Sequence, residues 1–454
     1  MRFLAAVVAC IATFAMQAAT TNNDDSCDVT VLPAATLLLP YFEVDLTSAA
    51  GTGETTIFTV TNLTNLSQAA QVTLWTDYDY PVMTFNIFLT GYDVQSVNLY
   101  DVIRRGRIAP NYGTGFDISD VGELSGDDVN QIPFDNPLLA EQTCVDLPIQ
   151  LPVVLITRMQ AAFTTGKVLT AGTLPACNTA GGLHANAVGY ATIDVVGACR
   201  PTLPNNAAYY ADLIRFDNVL GGDYMQINGD EDFAQGAPMV HIRAIPEGGT
   251  AATRSSDPKY AVDFDRTFYS RFQNRATPKL DGRQPLPSTF AARWISGGAT
   301  GFETFYKIWR EAPTASDTAC SALPARAGMI NIAELARFDE EENPEVYRPL
   351  LIILPPPHSY VLPATSLTNV DNESYFPGAT NGSVAGWTYM NLDDSTTDAF
   401  ASQGWVVSSM RAEDRFSVDI DALPLGNGCS APTDQTNAVG GLDPIGPAPN
   451  VRWP

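Results

Sequence analysis

The stretch from Glu54 to Val102 constrains this chain most, because it holds four short β-type runs in succession. Ile57, Phe58, Val60 and Leu63 make the first. Val72, Leu74 and Trp75, with Thr73 and Thr76, make the second. Phe85, Ile87 and Leu89 then alternate with Asn86, Phe88 and Thr90, and Val94, Val97 and Leu99 alternate with polar residues. Asn, Ser, Asp, Gly or Pro bounds each run. Such runs read as consecutive half-buried strands, with one face apolar. Strands this short and closely spaced predict an antiparallel sandwich.

The pattern restarts in residues 288–428. STFAARWISG, FETFYKIWRE, MINIAELARF, PLLIILPP, VAGWTYMNL, GWVVSSM and FSVDIDAL each read as a strand. Periodic segments of helix length between them are missing, which argues against an α/β enzyme domain. The expected fold is therefore mainly β: two antiparallel β-sandwiches with long loop and short-helix insertions. A length of 454 residues fits two or three domains at about 150 residues each. We divide the chain into a first sandwich with an insertion (27–250), a junction (251–287), a second sandwich (288–429) and a Gly/Pro-rich tail (430–454). No short-period repeat is present, although the two sandwiches are open to being distant relatives.

Within the first part, Val29–Val44 is apolar with two prolines, which suit edge-strand or extended positions. Residues 105–150 read as a long excursion with one short helix at most. Val153–Thr165 predicts a helix: Leu155, Met159 and Phe163 recur every four residues, and Gly166 supplies a stop. Gly189–Val196 and Met239–Ile245 read as strands, and 207–228 mixes a short helix with strands.

TTIFTVTNLT followed by QVTLWTDYD resembles the immunoglobulin-like sandwiches of secreted bacterial proteins, over residues 29–103 and 288–425. FDNVLGGDYMQIN, APMVHIRAIPEGG and LPSTFAARWISGG are similar to stretches of uncharacterised exported bacterial proteins. The resemblance implies two-sheet modules and brings no activity with it. The Cys…Trp…Cys pattern of antibody domains is not present in usable form.

The first residues carry Arg2, an apolar run from Phe3 to Met16, and small residues at Ala18 and Ala19, the layout of a secretory signal peptide over 1–19. About 20 apolar residues are needed to span a bilayer, and this run is too short. No later segment reads as a transmembrane span. The apolar run continues past Cys10, which argues against a lipid anchor there. Removing the leader leaves Cys27, Cys144, Cys177, Cys199, Cys320 and Cys429, an even set that predicts three disulfides. Cys177 and Cys199 bracket a Gly-rich turn and a strand, so they are paired here; Cys27 with Cys429 would tie the termini, leaving Cys144 with Cys320. None has CxxC spacing, which argues against zinc or redox chemistry.

The net charge is −25, from 50 acidic and 25 basic residues. Neutralising phosphates needs Lys and Arg, so this balance argues against nucleic acid and against anionic membrane surfaces. The most basic island is Arg266, Arg271, Arg275, Lys279 and Arg283, diluted by Asp263, Asp265 and Asp281. Internal ion pairing is the expected use, with a docking surface for an acidic partner as the alternative.

Chemistry has few candidates. No GxSxG elbow, HExxH helix or P-loop appears. Of three histidines, His241 sits inside an apolar strand and is expected to be structural, His358 follows three prolines, and His184 lies in a Gly-rich loop as the most accessible. The acidic run 339–345 (DEEENPE) reads as a solvated loop, with a metal site or acid/base pair as the sharper alternative. Calcium is the cofactor to test first. Asn228, Asp230 and Asp232 place oxygens at alternate positions, but Phe233 and Met239 occupy the sixth and twelfth positions where an EF-hand needs Gly and Glu. Trp387, Tyr389 and Trp405 are expected inside the second sandwich rather than stacking on sugars.

The expectation for function is a secreted, non-catalytic protein of adhesion, matrix or surface assembly, with a protein or polysaccharide partner at the cell surface. The alternative is an extracellular carbohydrate-active hydrolase using paired carboxylates. A third reading is a filament subunit that donates an edge strand.

Overall fold

A computed structural model describes residues 29–108, 150–169, 175–177, 180–200, 202–204, 206–249, 251–260, 267–269, 281–297, 301–310, 330–332, 334–345, 360–362, 367–371, 383–392, 403–412 and 416–425. The leader, the tail, PLLIILPP and most of the 105–150 excursion lie outside these residues.

The fold is mainly β. The first half holds β1 (Thr36–Val44), β2 (Glu54–Asn62), β3 (Gln68–Thr76), β4 (Pro81–Leu89), β5 (Val94–Asn98), the small pair β6 (Val168–Leu169) and β7 (Pro175–Cys177), β8 (Ala187–Val196), β9 (Leu220–Asn228), β10 (Phe233–Pro238) and β11 (Val240–Ile242). The second holds β12 (Thr289–Ile295), β13 (Phe302–Arg310), β14 (Ile330–Ile332), β15 (Glu334–Asp339), β16 (Pro344–Glu345), β17 (Tyr360–Leu362), β18 (Leu367–Asp371), β19 (Ala385–Asn391), β20 (Gly404–Ala412), β21 (Phe416–Asp421) and β22 (Leu423–Pro424).

The main sheets run β11-β1-β8-β3-β4 and β10-β9-β2-β5 in the first half, and β16-β15-β19-β12-β22 and β18-β13-β20-β21 in the second. Setting aside β6, β7, β14 and β17, let the strands of each half be a to i in chain order. Both halves then have one sheet ordered i-a-f-c-d and one ordered h-g-b-e. Every neighbour pair is antiparallel in both. The chain is thus two copies of one topological unit, a repeat that no sequence period displays.

The alternation of side chains across a strand decides what each face meets. Leu37, Leu39, Phe42, Ala191 and Ile193 of β1 and β8 share a core with Phe58, Val60, Val97 and Tyr224 of the facing four-stranded sheet. Their neighbours Leu38, Trp75, Tyr190 and Val196 point the other way, into a cluster with Trp309 of β13 and with the interior of the second half at Phe290, Trp294, Tyr306 and Val406. The larger sheet of the first half therefore lies between its own partner sheet and the smaller sheet of the second. This corrects the reading of Gln68–Thr76 as half-buried. β1, β3 and β8 are buried along almost their whole length because the second half covers their outer face.

An aromatic run crosses this junction. Trp75 stacks on Tyr190 at 5.6 Å between ring centres, Tyr190 meets Trp309 edge-on at 5.9 Å, and Trp309 stacks on Phe268 at 5.7 Å. Phe268 meets Tyr269 at 4.8 Å, and Tyr269 meets Tyr210 at 5.5 Å. Such pairs contribute about 0.5–1.5 kcal/mol each beyond burial.

Other local expectations resolve physically. β1 is an internal strand rather than an edge. Its Pro40, which has no N–H to give, falls where the register with β8 shifts between Leu39 and Phe42. The helix spans Val153–Thr165, and Gly166 ends it at φ 63° with its N–H on the carbonyls of Ala161 and Ala162. Met159 and Phe163 are buried, whereas Leu155 is exposed. Tyr389 and Trp405 are buried; Trp387 is half-buried and stacks on Phe338 at 4.1 Å.

Candidate functional site

His184 does meet a carboxylate. The loop leaving β3 carries Asp77, and the Gly-rich loop before β8 carries His184, 107 residues later. His184 Nε2 lies 2.7 Å from Asp77 Oδ2, and the Gly182 N–H donates to Asp77 Oδ1 at 3.0 Å. The Asp77 side chain is 2% exposed and that of His184 26%. The two loops are held together on either side. Thr76 Oγ1 donates to the Ala180 carbonyl, Tyr190 Oη donates to Asp79 Oδ1, and the His184 N–H donates to the Thr164 carbonyl at 2.9 Å. Gly182 is required here, because a Cβ would sit 2.8 Å from Asp77 Oδ2 and 2.9 Å from His184 Nε2.

A histidine oriented by a buried carboxylate is two-thirds of a nucleophile-activating triad. The missing third matters. Among the described residues, Asp77 is the sole hydrogen-bond partner of the His184 ring. Among the described residues, no hydroxyl or thiol hydrogen-bonds to it. The pair fastens the two loops to each other. Asp77 did not stand out in the sequence, since a contact across 107 residues leaves no local signal.

The remaining candidates are placed as follows. His241 is buried in β11, with Nδ1 2.6 Å from the Leu32 carbonyl, a structural contact. His358 lies outside the described residues. In the acidic run, Asp339 accepts hydrogen bonds from the N–H groups of Glu341 and Asn343 and from the Asn343 side chain, which hold its carboxyl below the usual range. That is a turn cap. Asn228, Asp230 and Asp232 sit at the β9–β10 hairpin turn, where Asn228 Oδ1 accepts the Asp230 N–H at 3.1 Å. No group of three or more His, Cys, Asp or Glu able to hold a metal occurs among the described residues. Cys199 is disulfide-bonded; the side chains of Cys27, Cys144, Cys177, Cys320 and Cys429 lie outside the described residues. No helix among those residues is long and apolar enough to cross a membrane.

Two further polar clusters are buried where the halves meet. Asp194, in the apolar run of β8, accepts from Tyr209 Oη at 2.5 Å and Tyr269 Oη at 2.6 Å, and from Thr36 Oγ1. Arg283 Nε lies 3.6 Å from Asp194 Oδ1, its Nη1 lies 3.4 Å from Asp281, and its Nη2 donates to the Arg215 carbonyl at 2.8 Å. Burial raises the Asp194 carboxyl above its ordinary range, against the opposing pull of Arg283. Arg283 thus uses its charge inside the protein. The other four cations of the basic island lie outside the described residues. The second cluster centres on Lys307 of β13. Its Nζ donates to Gln226 Oε1, to Gln235 Oε1 at 3.2 Å, and to both Asp419 oxygens at 3.4 Å. Neither was singled out in the sequence; the available signal was Asp194 as the one charge in the apolar strand AVGYATIDVV, whereas Lys307 shares its strand with Glu303 and Arg310.

Comparison with protein families, with curated proteins and with solved structures finds no match.

Proposed function

We propose that this chain is an exported, disulfide-tied protein of immunoglobulin-like sandwiches that acts without catalysis, in adhesion, matrix or surface assembly. One observation carries this reading. The histidine that stood out in the sequence is oriented by a carboxylate, and among the described residues its contacts fasten loops and reach no nucleophile. A partner at the cell surface, protein or polysaccharide, would then be recognised by exposed strand and loop surface. The disulfides proposed are Cys177–Cys199, Cys27–Cys429 and Cys144–Cys320, a set that suits an oxidising compartment.

Purified mature protein should bind immobilised cell-surface polysaccharide or protein while releasing no reducing sugar from a polysaccharide panel. His184→Ala should leave that binding unchanged. Turnover of any polysaccharide, abolished by His184→Ala or Asp77→Asn, contradicts the reading. Peptide mapping without reduction tests the three pairings.

A further inference from the structure

We propose that the edge where the two four-stranded sheets meet is a proton-operated latch between the halves, closed while its carboxyls hold their protons and released as they ionise.

The geometry comes first. β10 and β21 are the equivalent edge strands of the two halves, strand h in each. They lie side by side, with Ser417 Oγ donating to the Ala234 carbonyl at 2.8 Å. Gln235 of β10 reaches across to the Met410 carbonyl and accepts from Ser409 Oγ at 2.5 Å. Lys307, 5% exposed, joins Gln226, Gln235 and Asp419 beneath this contact. The seam is therefore polar, unlike the aromatic junction beside it, and water entering as it opens would satisfy every group exposed.

Its charges are unbalanced. Facing the seam are Glu43 from β1, Glu54 and Tyr224 from β2 and β9, Glu231 from the β9–β10 turn with Asp230 and Asp232 beside it, Glu303 and Lys307 from β13, Arg411 from β20, and Asp419 and Asp421 from β21. Arg411 is engaged with Glu231 at 3.1 Å and Glu303 at 3.2 Å. Among the described residues, Lys307 alone is left to answer Glu54, Asp419 and Asp421. Burial, reinforced by Glu43, pushes Glu54 up from 4.5 to about 8. A carboxyl raised in the closed state binds its proton more tightly there than when open. Closure is then fully favoured below pH 4.5. It weakens as pH climbs toward 8, because opening releases a proton.

The test is hydrogen–deuterium exchange of the full-length chain from pH 5 to pH 8.5, as protection factors corrected for intrinsic rates. Peptides over β10 and β21 should lose about tenfold or more in protection across this range, while β3 and β8 hold theirs. Glu54→Gln should flatten the loss to about threefold or less, with Glu303→Gln following the wild type. If Glu54→Gln does not fold, the wild-type profile still decides. A flat wild-type profile, an unchanged slope in Glu54→Gln, or parallel loss in β3 and β8 would each overturn the latch.

Discussion

The two larger sheets of this protein have one topology and two surroundings. In the first half the sheet is covered on both sides, and β8 reads AVGYATIDVV with every residue buried. In the second half the equivalent strand β19, AGWTYMN, leaves Ala385 and Trp387 half-buried, and β12 alternates buried Phe290, Ala292 and Trp294 with exposed Arg293. The difference teaches that strand pattern here reports what covers the sheet, not which fold it belongs to. A sheet open to water on one face shows period two; a sheet covered on both shows near-continuous apolar runs, whatever its pairing. The covered face also explains the buried charge. Asp194 projects to the side the second half covers, and Arg283, Tyr209 and Tyr269 gather there to meet it.

The comparison can be broken at its strongest point by leaving that charge alone. Arg283→Met strands Asp194 and Asp281 among apolar and aromatic groups and should lower unfolding stability in urea by about 3–5 kcal/mol. The double variant with Asp194→Asn should recover part of it. Next comes the contrast between equivalent sheets. Trp309→Ala removes a ring, 1% exposed, that the second half packs onto the covered face of the first half's larger sheet, and should cost about 3–5 kcal/mol. Trp387→Ala, on the open face, should cost under about 1.5 kcal/mol by the same assay. Between these two falls Thr192→Val, which leaves the Trp75 indole N–H without its 2.9 Å acceptor and should cost about 1–3 kcal/mol, read as a shift in urea midpoint. Equal losses for Trp309→Ala and Trp387→Ala would erase the distinction between covered and open sheets.

Much of the architecture was legible in the chain. Short apolar runs bounded by turn residues located β2, β4, β5, β12 and β20, and Gly166 marked the helix end because a left-handed residue there is cheapest as glycine. The role of β1 was not legible. Pro40 argued for an edge, and only the bulge beside it lets an internal strand carry a proline. Nor was the docking of the halves. It depends on which of two apolar faces meets which, and Trp75, Tyr190 and Trp309 lie in strands far apart in sequence. The site was half legible. His184 stood out as accessible, but its partner Asp77 sits across a fold-dependent contact that no local pattern displays.

The central claim is that the halves form one cooperative stack through the doubly covered sheet. Scanning calorimetry of the intact chain at pH 5, where the seam is closed, tests it most directly. The account predicts a single transition whose calorimetric and van't Hoff enthalpies agree, and its splitting into two by Trp309→Ala. Two resolved transitions in the unaltered protein, unmoved by Trp309→Ala, would contradict it.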